Sequence, residues 1–240
     1  MNPREIHRDR TRLATVFAMT LTCVALLLGG TAVLADDDES SDDDGRGTTY
    51  EVTITNLTYR QIISPPVVVV HDRRFRLFEP GQPASDELAE LAEGGATGPL
   101  AGLLMASRGV HDYAVAAGGI PPGGSSTVEV RVRGRAKLLS LAGMLITTND
   151  AFAGLDAFTV PSGSSRTMIV DADAWDAGSE RNTENCNDIP GPPCGDPNLR
   201  VTDGAEGFVH VHRGIHGVDE LVAANMDWRD PVARVTIKRK

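Results

Sequence analysis

The sequence predicts an all-β domain built as an antiparallel β-sandwich, with one or two short helices in a long connection. Three observations carry this. Short runs with strand-like alternation or β-branched side chains recur along the chain, Gly- and Pro-rich turns separate them, and only one segment has a clear helical signature. No internal repeat of fixed period is present.

The N-terminal segments come before the domain. Arg4, Arg8, Arg10 and Arg12 precede an uncharged apolar run from Leu13 to Ala35, which ends in Val33-Leu-Ala35. Residues 1–35 therefore read as an export signal. The run is also long enough to cross a bilayer, so an uncleaved anchor is the alternative, although Gly29, Gly30 and Ala35 favour cleavage. Cys23 lies within the apolar run and does not resemble a lipid-attachment cysteine. Residues 36–47 form an acidic disordered spacer. Seven of the nine residues from Asp36 to Asp44 are acidic, and like charges at that density repel and bury no apolar surface. The folded domain is residues 48–240, and the expected location is secreted, periplasmic or at the cell surface.

Tyr50 to Asn56 alternates apolar and polar residues, as a half-buried strand does. Val67 to Val70 follows two prolines confined to its leading end and reads as a second strand. Ser85 to Glu93 is the clear helix, with Ser85 at the cap, acids in the first turn and Leu88, Leu91 and Ala92 on one face. A second helix is predicted from Pro99 to Ser107. Gly118 to Gly124 makes a turn, and Thr127 to Val132 alternates again. Leu138 to Ile146 is nearly continuous in apolar residues, which suits a central strand buried on both faces. Phe152–Val160, Ser165–Val170, Phe208–His212 and Ala233–Lys238 complete the strand list.

Charge and motif content exclude several functions. The chain carries 33 acidic against 23 basic residues, a formal charge of −10. Its local basic cluster, Arg73-Arg-Phe-Arg76, reads as a loop or strand edge, so no basic stripe invites nucleic acid. No serine sits in a nucleophile elbow, and no glycine-rich phosphate loop leads from a strand into a helix. A non-enzymatic role is expected.

Two acidic stretches stand where apolar runs end: Thr147-Thr-Asn-Asp150, and Asp171-Ala-Asp-Ala-Trp-Asp-Ala-Gly-Ser-Glu180. Both are read as loops converging at one sheet edge. Calcium takes six to eight hard oxygen ligands, which one loop rarely supplies, so two such loops suit it. Gly178 permits a turn tight enough to aim both acidic ends at one point. The alternative is a solvated acidic loop.

Cys186 and Cys194 lie in one loop around Ile189-Pro-Gly-Pro-Pro193, and in an exported chain they are expected to form a disulfide that stiffens the segment after Glu180. Metal ligation by the pair is the alternative. A second constellation, Val209-His-Val-His-Arg-Gly-Ile-His216, places His210 and His212 on one strand face, with His216 able to turn back. Three imidazoles there would suit zinc or copper, and a metal-dependent enzyme is the alternative function. Polar residues facing solvent or fixing the following turn are the plainer reading.

Five segments, in order, resemble the spondin N-terminal domain family, which occurs in extracellular matrix and exported bacterial proteins: Tyr50-Glu-Val-Thr-Ile54, Ala84 to Gly94, Asp150-Ala-Phe-Ala-Gly154, Trp175-Asp-Ala-Gly-Ser-Glu180 and Asp230-Pro-Val-Ala-Arg-Val-Thr-Ile237. The likeness extends over essentially Thr48 to Lys240. It implies a C2-like sandwich holding one calcium ion, with ligands at Asp150, Asp176 and Glu180. Glu180 stands where animal members tend to carry Asp, which lengthens the reach by one methylene. It also implies an adhesion or recognition role toward an extracellular or cell-surface protein, glycan or lipid head group.

Overall fold

A computed structural model describes residues 47–134, 136–162, 167–195 and 200–240. The predicted signal and nearly all of the acidic spacer lie outside these residues. Among the described residues no helix is long and apolar enough to cross a membrane.

The strands are β1 (Thr48–Asn56), β2 (Val67–His71), β3 (Val110–Val115), β4 (Ser125–Val132), β5 (Leu138–Met144), β6 (Ala151–Thr159), β7 (Thr167–Asp176), β8 (His210–Val211) and β9 (Ala233–Arg239). The helices are α1 (Asp86–Gly94), α2 (Thr97–Ala106) and α3 (Ala223–Met226). The described strands form one nine-stranded sheet in the order β3-β2-β5-β6-β7-β9-β1-β4, with β8 added beside β7. Every pairing is antiparallel.

This corrects the expectation of a C2-like sandwich of two distinct layers. The reason lies in β7. Its first part, Thr167 to Ala172, pairs with β9, and its last part, Asp173 to Asp176, pairs with β6. One strand thus carries the ladder from one half of the sheet to the other, and the sheet curls nearly into a barrel. Its two ends approach each other, with the Arg131 N–H of β4 donating to the Asp112 carboxylate of β3 at 2.6 Å.

The interior of the curl holds Val52, Ile54, Val130, Leu139, Leu141, Val235 and Ile237, all buried. A second core lies outside β2, β5 and β6, where Leu88, Leu91, Leu100 and Leu104 of the helices cover Val67, Val69, Ala142 and Phe152. That is why β2 and β5 read as continuous apolar runs: alternate residues face alternate cores. Ser85 caps α1 by accepting the Leu88 N–H, as expected. A helix of nine residues is marginal alone. Burial of Leu88 and Leu91, about 1.5–3 kcal/mol each, holds it in place.

Two further expectations change. β7 runs on to Asp176, so Asp171 and Asp173 point outward from a strand while Ala172, Ala174 and Asp176 face in; only Ala177 to Glu180 is a turn. β3 has no counterpart in the predicted strands because its residues are half-exposed on both faces, which blurs the alternation. The basic cluster of residues 73–76 is partly neutralised, with Arg74 paired to Asp72 and Arg76 to Asp156.

Candidate metal centre

The register of β6 against β7 sets Ala151 opposite Asp176. It brings the loop entering β6 and the turn leaving β7 to one sheet edge. The Ala177 N–H donates to the Asp150 carbonyl at 3.1 Å, so the two acidic segments meet as the sequence predicts. Thr148 shapes the first loop. Its hydroxyl donates to the Leu145 carbonyl and accepts the Ala151 N–H.

Asp150 is fully buried. Its Oδ2 accepts the Ser179 N–H at 2.7 Å, the Ser179 hydroxyl at 3.2 Å and the Glu180 N–H at 3.0 Å. Its Oδ1 is buried without a hydrogen-bond partner. Asp176, also fully buried, accepts the Gly178 N–H at Oδ1 (2.8 Å) and the Asn182 amide at Oδ2 (2.7 Å). Glu180 is buried too, and its Oε1 accepts the Val201 N–H at 2.9 Å. Among the described residues no Lys or Arg forms an ion pair with any of these three carboxylates.

Burial without a cationic partner has the expected electrostatic consequence. Loss of water, and then repulsion from Asp176, pushes Asp150 up to about 7. Burial also raises Asp176. Glu180 is pushed up to about 8, by burial first and then by Glu93 and Asp150. Asp150 and Asp176 thus stand close enough to repel each other, one with an orphaned oxygen, whereas Glu180 is engaged by the Val201 N–H, and the three carboxylates do not gather within 4.8 Å of one another.

Gly178 does what the sequence requires of it. Its φ is +67°, and a Cβ there would lie 2.3 Å from the Phe208 carbonyl oxygen. Close approach of two backbones lets the Gly207 N–H donate to the Gly178 carbonyl at 2.8 Å, docking the 200s segment over the turn.

The histidines take separate roles. His212 Nδ1 accepts the Gly214 N–H at 2.9 Å, and its Nε2 therefore carries the hydrogen that faces Asn182 Oδ1 at 3.0 Å. With both nitrogens engaged, His212 orients Asn182, which in turn holds Asp176. Burial drives His212 down to about 3, so the ring is neutral. His216 is exposed, and its backbone N–H is held by Glu184. The three imidazoles therefore do not form one ligand set. His210 instead joins Asp176 and Glu206, with ligand atoms all within 4.8 Å of one another.

The family model described as Spondin_N matches residues 55–192, a span that contains Asp150, Asp176 and Glu180 and ends before Glu206 and His210. The chain belongs to the spondin N-terminal domain family. No curated protein matches it.

In this spondin domain the cysteines form the expected disulfide, Cys186–Cys194. The closed loop leans on the acidic edge, where the Thr147 hydroxyl donates to the Pro192 carbonyl at 2.9 Å. Glu184, buried at φ +56°, accepts the N–H groups of His216, Gly217 and Val218 at its carboxylate and donates its own N–H to Asn149 Oδ1 at 3.4 Å. Sequence reasoning missed Asn182, Glu184 and Glu206. Asn182 and Glu184 sit in a segment without periodicity, and apart from Asp176, six residues before Asn182, their partners lie 30 to 35 residues away. Glu206 had one available cue, its position four residues before His210.

Proposed function

We propose that this chain is an exported spondin-type domain that binds one calcium ion through Asp150, Asp176 and Glu180 and serves as an adhesion or recognition module at the cell surface or in the matrix. Asp150 carries this reading, because it is fully buried beside a second buried carboxylate with Oδ1 unpartnered. A calcium ion there would supply the positive charge that these acids lack. The chain's own groups already fix the geometry: Ser179 and Glu180 hold Asp150 from one side, and Gly178 and Asn182 hold Asp176. Family membership and the disulfide support an extracytoplasmic setting.

Binding rather than catalysis follows on this reading, since the carboxylates serve as ion ligands. The partner is an extracellular or cell-surface protein, glycan or lipid head group, and the rigid acidic edge is where it engages. The test is retention of the labelled protein on cells and on matrix in calcium and then in chelator. Calcium-dependent retention that Asp176→Asn abolishes supports the proposal; equal retention in both buffers removes the calcium-dependent role.

A further inference from the structure

We propose that His210, Glu206 and Asp176 form a site for a borderline divalent metal of the zinc class, separate from the all-oxygen calcium set and sharing Asp176 with it. The decisive atom is Nε2 of His210. It is buried and has no hydrogen-bond partner. On the other side of the ring, Nδ1 lies 3.0 Å from the Val211 carbonyl. A carbonyl only accepts, so Nδ1 carries the hydrogen, and in that tautomer Nε2 presents its lone pair inward.

That lone pair faces Asp176 Oδ1 at 3.5 Å. In that tautomer two electron-rich atoms face each other, a repulsion that a shared proton or a metal ion relieves, and a metal ion also takes up Glu206. A backbone carbonyl fixing the far nitrogen is also the usual support for a metal-bound histidine.

Glu206 completes the set, with all three ligand atoms within 4.8 Å of one another. Zinc ligands stand about 2.0–2.2 Å from the ion, so only a modest inward rotation of the exposed Glu206 is needed. The ligands sit on segments already tied together. Gly207, next to Glu206, donates to the Gly178 carbonyl two residues beyond Asp176, and the His210 ring packs against Phe208 with centroids 5.3 Å apart.

Imidazole selects zinc, copper or nickel over calcium, which prefers oxygen throughout. Three protein ligands leave a fourth position open, on the side where Glu206 meets solvent, for water or a partner's side chain.

The experiment is zinc titration of the full chain in calcium-saturated buffer against a competing chelator, followed by X-ray absorption of the loaded protein. The expected result is one zinc per chain with one imidazole at about 2.0–2.1 Å. His210→Ala and Glu206→Gln should each weaken zinc roughly tenfold or more. Glu180→Gln, which lies outside this set, should leave zinc affinity unchanged while lowering calcium affinity. If His210→Ala does not fold, Glu206→Gln at its exposed position decides. An oxygen-only zinc shell, zinc affinity unchanged in Glu206→Gln, or no zinc bound in calcium buffer overturns the proposal.

Discussion

Ser179 donates both its backbone N–H, at 2.7 Å, and its hydroxyl, at 3.2 Å, to Oδ2 of Asp150, 29 residues earlier in the chain. The two acidic segments are thereby latched to each other through a side chain. One oxygen of Asp150 is saturated by these bonds and by the Glu180 N–H, and the other is buried without a hydrogen-bond partner. Charge-assisted bonds of this kind are stronger than neutral ones, so the site is preorganised by the fold.

The latch depends on the turn that carries Ser179. Gly178→Ala places a Cβ against the Phe208 backbone at a φ that L residues rarely adopt. We expect a loss of at least about 2 kcal/mol, read as a lower urea midpoint, with the Gly207–Gly178 contact broken.

His212 and Asn182 form a relay to Asp176. Asn182→Ala removes the amide that Asp176 Oδ2 accepts and leaves the His212 Nε2–H without its acceptor. The expected cost is about 1–3 kcal/mol in stability. Calcium affinity, measured by isothermal titration calorimetry, should fall about tenfold.

Stability against pH separates the acids from His212. In chelator, Asp150 near 7 and Glu180 near 8 sit above their ordinary 3.8 and 4.5. The folded state therefore holds more protons than the unfolded one, and this contribution is lost as pH rises through 7 to 8. His212 acts in the opposite sense. Its folded value near 3 lies below the ordinary 6.5, so its contribution is complete above 6.5 and is lost as pH falls toward 3. Between pH 6.5 and 8 the acids act alone. The melting temperature in chelator should drop across that interval, and saturating calcium should remove the drop.

The meeting of the two acidic segments was legible in the sequence. The stretches Thr147–Asp150 and Asp171–Glu180 each follow an apolar run, and antiparallel pairing of β6 with β7 brings Asp150 and Asp176 to one sheet edge. Glu180 follows a glycine whose conformation the turn requires. The continuation of β7 through Asp173 was written in the alternation of Ala172, Ala174 and Asp176, but the acidic residues between them resemble a loop. Curling of the sheet was not legible, because β7 divides its pairing between β9 and β6 through contacts distant in sequence. That a histidine fixes the following turn was read from the sequence, and His212 does so through the Gly214 N–H. Its hold on Asn182, and that of Glu184 on residues 216–218, was hidden because those partners lie 30 or more residues away.

Reduction of Cys186–Cys194 should cost about 2–3 kcal/mol by the entropy of so short a loop. The loop also supplies the Pro192 carbonyl to Thr147, so calcium affinity should weaken with it. Urea unfolding and calcium titration, each with and without reductant, check both effects.

The most direct measurement is thermal unfolding of the wild-type chain and of Asp150→Asn, each in chelator and in saturating calcium. A ligand bound only by the folded state adds about 2.7 kcal/mol at one hundred times its dissociation constant. The calcium site predicts a clear rise for wild type, no rise for the variant, and a variant in chelator at least as stable as wild type at pH 8, since it no longer buries that charge. A wild-type melting temperature indifferent to calcium, or an equal rise in Asp150→Asn, would contradict it.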